Sequence, residues 1–134
     1  HDFASSNGEP LQDVLGVLLK DLDEFKVGVL VAHNMDFDRN VLLSNMIRED
    51  IQTHSVSRLS TFCTMKNSTN FCAIRHKSTS SSRRYDNYKW PTLTELYLKV
   101  FNEIYDGEHS SKCDVKATKD CFFQLLDQGV FNDF

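Results

Sequence analysis

The stretch Val-Ala-His-Asn-Met-Asp-Phe-Asp, Val31 to Asp38, sets an asparagine and two aspartates directly after an apolar run. A second set, His109 and Asp114, stands five positions apart nearer the C-terminus. Carboxylates are the hard oxygen donors that Mg²⁺ and Mn²⁺ prefer. Histidine, with an unperturbed pKa of about 6.5, exchanges protons near neutral pH. Together these residue types suit metal-assisted hydrolysis. Each set also has a plain alternative. Asn and Asp favour helix starts, where their side chains accept from free backbone N–H groups and the macrodipole favours acid. A carboxylate on a buried helix face needs a partner, and a structural hydrogen bond supplies one as well as a metal does. Two such acids, each at the end of an element where a crevice is expected, make a shared divalent site the more economical reading.

The elements that position these residues are legible as periodicity. Leu11, Val14, Leu15, Leu18, Leu22 and Phe25 recur at steps of three and four, one stripe of an amphipathic helix opened by Pro10. Val27 to Ala32 is short, apolar and β-branched, the pattern of a strand buried on both faces. From Phe37 to about Ile51, helical spacing returns with Phe37, Val41, Leu42 and Met46. A second strand is expected near Leu59 to Cys63, followed by a long aperiodic stretch that ends at Tyr88. A helix then opens with a Thr92–Glu95 capping box and buries Leu93, Leu96, Tyr97 and Val100. The last helix places Asp114, Ala117, Thr118, Cys121 and Leu125 on one face, with Gly129 as its stop. A strand feeding directly into a helix predicts an α/β fold in a single domain over 1–134.

Composition bounds the function. A chain of 134 residues, 40% hydrophobic and 11% aromatic, has the length and apolar content of one globular domain. Its formal charge of −4 argues against a uniformly basic nucleic-acid binder and leaves room for a local basic patch. Cys63, Cys72, Cys113 and Cys121 are separated by eight, forty and seven residues, no zinc spacing, and read as buried thiols in a reducing compartment. No apolar run approaches a membrane span and no signal peptide is evident, so a soluble, cytoplasmic protein with no membrane partner is expected.

Taken in order, these motifs resemble those of a known family. Val31 to Asp38 is similar to the second exonuclease motif of the DnaQ-like (DEDDh) 3′–5′ exonucleases, and His-Ser-Ser-Lys-Cys-Asp, His109 to Asp114, to their third motif, His-x4-Asp. That family includes the proofreading epsilon subunit of bacterial DNA polymerase III. Thr61 to Cys72 and Tyr88 to Phe101 are similar to the strand, loop and leucine-rich helix between the motifs. His1 to Leu15 resembles a preceding segment, with Asp2 where glycine is usual. The resemblance implies an RNase H-like fold, a mixed sheet flanked by helices. It makes Asp38 and Asp114 ligands of two Mg²⁺ or Mn²⁺ ions and His109 the general base. Asn34, Phe37 and His33 become residues that place the substrate. Asp36 falls at a variable position and stays a surface or capping residue.

One part of the family pattern has no counterpart. The first motif, Asp-x-Glu on the first strand, is represented neither by Asp23–Glu24 at a helix end nor by Asp106 to Glu108 beside the third motif. The expectation is that the chain starts roughly fifty residues late in a domain of about 150 or more, without its N-terminal strands. Alone it is then expected to fold poorly and to bind metal weakly. The segment 74–89 is basic and serine-rich: Arg75, Lys77, Arg83, Arg84 and Lys89 against Asp86, interleaved with Tyr85 and Tyr88 and followed by Trp90. Phosphate attraction with base stacking is how single strands are held, although Trp90 itself is expected in the core.

The function these readings favour is removal of nucleotides from the 3′ end of DNA, proofreading or repair in type, on a single strand and with a DNA polymerase as the expected protein partner. RNA trimming is the second substrate class. A catalytically inactive exonuclease fold that binds nucleic acid or a polymerase is the alternative from another class.

Overall fold

A computed structural model describes residues 8–76, 88–105 and 110–132. The order of elements is α1 (Leu11–Glu24), β1 (Val29–Ala32), α2 (Met35–Arg48), α3 (His54–Ser57), β2 (Ser60–Cys63), α4 (Thr64–Asn67), α5 (Thr69–Cys72), α6 (Leu93–Phe101) and α7 (Ser111–Asp127). The fold is mixed α/β, mostly helical, with β1 and β2 forming a small parallel two-stranded sheet. The chain divides into two compact units, His1–Leu30 with Phe37–Ser60, and Val31–Asp36 with Thr61–Phe134.

In the first unit, α1 lays Leu15, Leu19 and Leu22 against Met46 and Val56, with Leu30, Leu42, Leu43 and Ile51 around them. Each such side chain, fully buried, stabilises by about 1.5–3 kcal/mol. The buried stripe of α1 is narrower than its periodicity suggests: Leu11, Val14 and Phe25 lie exposed at its flanks and end. The same holds for α2, where Met46 and Leu42 are covered while Phe37 and Val41 face solvent. Both helices end on a non-glycine residue in the left-handed region, Lys26 at φ +49° and Asp50 at φ +56°. After each, a backbone N–H reaches back five residues: Val27 to the Leu22 carbonyl at 3.1 Å, and Ile51 to the Met46 carbonyl at 2.8 Å. These are Schellman-type closures, and Ile51 joins the cluster as the hydrophobic residue such a closure folds back. β1 is half-buried along its whole length rather than covered on both faces. A two-stranded sheet gives a strand only one neighbour, so full enclosure is out of reach.

In the second unit, α6 and α7 pack together. Leu96 of α6 and Ala117, Cys121, Phe122 and Leu125 of α7 are buried. Phe62, at the end of β2, meets Phe122 and Phe131 edge-on, with ring centroids 5.4 and 4.8 Å apart. Phe131 reaches that cluster because Gly129, at φ +68°, turns the chain back after α7, with Val130 N–H bonded to the Leu125 carbonyl at 2.9 Å. The capping box at α6 is formed: Glu95 N–H donates to Thr92 Oγ1 at 3.2 Å, and Thr92 N–H to Glu95 Oε2 at 2.8 Å. Ser110 caps α7, its hydroxyl oxygen accepting from Cys113 N–H at 3.3 Å. The stretch after β2, expected to be aperiodic, begins with the single turns α4 and α5, too short to show a helical period. All four cysteines are free thiols, and three of them, Cys63, Cys72 and Cys121, are buried. Burial pushes the Cys121 thiol up to about 12. Among the described residues, no helix is long and apolar enough to cross a membrane.

Candidate functional site

The residues of the second motif leave β1 and enter α2, and they divide into those that hold structure and those that face water. His33 holds structure. Its Nε2 lies 3.0 Å from the Pro91 carbonyl and its Nδ1 lies 3.0 Å from Thr64 Oγ1. A carbonyl oxygen only accepts, so Nε2 carries a proton. In the neutral ring, Nδ1 then accepts from the Thr64 hydroxyl, and the Ala32 carbonyl, 3.3 Å away, competes for that same hydroxyl proton. His33 thus ties the end of β1 to the start of α4 and to the residue before the α6 cap. Thr64 and Pro91 are both fully buried.

Asp36 is exposed and paired with Lys66, whose ammonium is held above its ordinary range first by that hydrogen bond. It is a surface residue, as expected. Asp38 differs. It lies in the first turn of α2, exposed, and among the described residues it makes no hydrogen bond or ion pair. Capping therefore does not account for it. Asn34 and Phe37 are exposed beside it in sequence, Phe37 by 63%.

In the second unit, Asp114 occupies the first turn of α7, half-buried, on the face that carries Ala117 and Cys121. Its Oδ1 accepts from the Tyr105 hydroxyl at 2.9 Å. Loss of water around the phenol, and then this bond and the Asp114 charge, push Tyr105 up to about 12. The structural partner that a half-buried carboxylate needs is present, on a residue the sequence did not single out. A tyrosine in a connecting segment nine positions upstream has no periodicity to mark it. Tyr105 also lines an open depression with Tyr97, Ile104, Cys113, Lys116 and Asp120. His109 lies outside the described residues.

Of the basic segment, 77–87 lies outside the described residues, and its two ends are paired. Arg75 and Tyr88 face each other in an antiparallel bridge, and Lys89 N–H donates to the Ile74 carbonyl at 2.8 Å. Lys89 Nζ contacts both Glu95 oxygens at 2.6 and 2.7 Å, and Glu95 is held below the usual carboxylate range first by that pairing. Trp90 corrects the sequence reading: it is 59% exposed. Pro91, its neighbour, takes the buried position instead.

Asp38, in the first unit, and Asp114, in the second, each carry the hard carboxylate oxygen that Mg²⁺ takes as a ligand. Asp38 has no competing partner among the described residues, and Asp114 has one oxygen committed to Tyr105. Among the described residues, no group of three or more His, Cys, Asp or Glu side chains is placed to hold an ion. Comparison with protein-family models, curated proteins and solved structures finds no match to the chain.

Proposed function

We propose that this chain is a 3′–5′ exonuclease domain of the DnaQ-like type, RNase H-like in fold, acting on the 3′ end of single-stranded DNA. One structural observation carries the reading beyond the ordered resemblance of its motifs: Asp38 is exposed and unpartnered among the described residues, while Asp36, two positions away, is ion-paired. A carboxylate in the first turn of a helix gains from the macrodipole, and an exposed one that makes no side-chain bond also keeps both oxygens open to a cation.

In this reading, Asp38 and Asp114 are carboxylate ligands for Mg²⁺ or Mn²⁺, and Tyr105 orients Asp114 through its hydroxyl. When bound, the ions relieve the negative charge that builds on the phosphate in the transition state. His109, in its neutral form, takes the proton of the attacking water. Asn34 and Phe37, both exposed, meet the terminal nucleotide in this reading. His33 contributes by fixing the turn that precedes them. A second reading, a nucleic-acid-binding fold without hydrolysis, is favoured by the Tyr105–Asp114 hydrogen bond, which gives Asp114 a structural reason to exist.

The test is digestion of a 3′-labelled single strand with Mg²⁺ and with EDTA, for the full-length protein and for its Asp38→Asn variant. Mg²⁺-dependent release of mononucleotides, lost by about 100-fold or more in Asp38→Asn with an unchanged circular dichroism spectrum, supports the enzyme reading. Binding without hydrolysis in the wild type supports the second. Equal hydrolysis by both proteins removes Asp38 from the mechanism.

A further inference from the structure

Trp90 is the only tryptophan in the chain and is 59% exposed. An exposed indole forgoes one of the largest hydrophobic gains a side chain can make on folding. Its backbone is nevertheless fixed on both sides. Before it, Lys89 is held through its N–H to the Ile74 carbonyl and through its ammonium to both oxygens of Glu95. After it, Pro91 is buried and its carbonyl accepts from His33, and Thr92 begins the capping box of α6. Lys89 on one side and Pro91 and Thr92 on the other are thus anchored while the ring between them is presented to solvent. Preorganisation of this kind lowers the entropy that binding costs.

The ring also has a cation beside it. Lys66 Nζ stands 5.8 Å from the Trp90 ring centroid and is paired with Asp36. Nearby in the chain, Arg75 opposes Tyr88 in the bridge that ends two residues before Trp90. An indole with an ammonium over its ring matches a base joined to a phosphate: the base stacks on the indole, and the phosphate draws Lys66 from Asp36. A protein partner would be met by an apolar patch, whereas this aromatic is flanked by charge.

We propose that Trp90 and Lys66 form a stacking platform for one nucleotide of a single-stranded nucleic acid, the base on the indole and the phosphate on the ammonium. The proposal deepens the exonuclease reading by naming where the strand is held, and it rests on that reading only for the identity of the strand.

Because no other tryptophan is present, its emission reports the contact directly. Titration of the full chain with oligothymidylate, in EDTA to prevent digestion, should quench that emission saturably. In parallel, anisotropy of a labelled oligothymidylate should show Trp90→Ala binding roughly 5- to 100-fold more weakly, the range expected for loss of one stacked base, and Trp90→Phe binding within a few-fold of wild type. Lys66→Ala should weaken binding and flatten its salt dependence by about one phosphate contact. Absence of binding, binding without quenching, or a Trp90→Ala variant that is folded and binds as wild type overturns the platform. Quenching with loss in Trp90→Ala but no Mg²⁺-dependent hydrolysis retains the platform and overturns the exonuclease reading. Hydrolysis with unaltered binding in Trp90→Ala does the reverse.

Discussion

Replacing His33 by alanine separates two roles, one read from the sequence and one from the structure. As part of the second motif His33 is a candidate substrate contact, yet in the structure both ring nitrogens are engaged, with Pro91 and with Thr64. His33→Ala removes two hydrogen bonds with net values of about 1 kcal/mol each, and leaves the Pro91 carbonyl without its donor at a cost of about 1–3 kcal/mol. Thr64 retains the Ala32 carbonyl as an acceptor, so its hydroxyl adds little to the loss. Counting only the Pro91 bond and its orphaned carbonyl, the loss is about 2–4 kcal/mol. With a urea m-value of about 2 kcal/mol/M, the unfolding midpoint should fall by roughly 1–2 M. Urea titration followed by circular dichroism at pH 7 reads this directly. His33→Gln, whose amide nitrogen reaches toward the Pro91 carbonyl, should recover about half of the loss. If His33→Ala unfolds at the wild-type midpoint while its affinity for a single strand drops tenfold, the tie is not what the residue is for, and the substrate role stands.

What the sequence made legible follows the range of the interaction. The α6 capping box was readable from Thr92 and Glu95 because its bonds span three residues, and the α7 face from Asp114 to Leu125 because helical period is local. Gly129 marked the end of α7 for the same reason: its positive φ is a single-residue demand. Long-range contacts were not readable. Nothing near His33 in sequence indicates Thr64 or Pro91, 31 and 58 positions away. Nothing near Asp114 names Tyr105 as its donor. Trp90 was misplaced because hydrophobicity alone predicts burial, whereas its neighbour Pro91 won the interior position. The exposed Phe37 and Val41 have a similar cause: helical spacing shows that apolar residues share a face, and only packing decides how wide a strip of that face is covered.

Two further substitutions probe the second unit. Glu95 is held below its ordinary range by Lys89 and Thr92, so its contribution is present above the carboxylate's unfolded value of about 4.3 and is lost as pH falls through the lower folded value. The stability difference between wild type and Glu95→Gln should therefore shrink between pH 6 and pH 3 in urea titrations, and a difference that stays constant with pH would show that the cap is not acting through charge. Tyr105→Phe addresses Asp114. It removes the hydroxyl that donates to Oδ1 and leaves the ring in place. Because Tyr105 is pushed up to about 12, its contribution is present below the unfolded tyrosine value of about 10 and is lost only as pH rises toward about 12, so the bond is intact across any ordinary assay. If the bond only satisfies a half-buried carboxylate, Tyr105→Phe lowers the melting temperature slightly and leaves the hydrolysis rate of the folded protein unchanged. If it orients Asp114 as a metal ligand, kcat falls by about 10-fold or more, as for other partners of ligating carboxylates, and a higher Mg²⁺ concentration restores part of it. A rate loss that tracks the unfolded fraction and ignores Mg²⁺ would return Asp114 to a purely structural role.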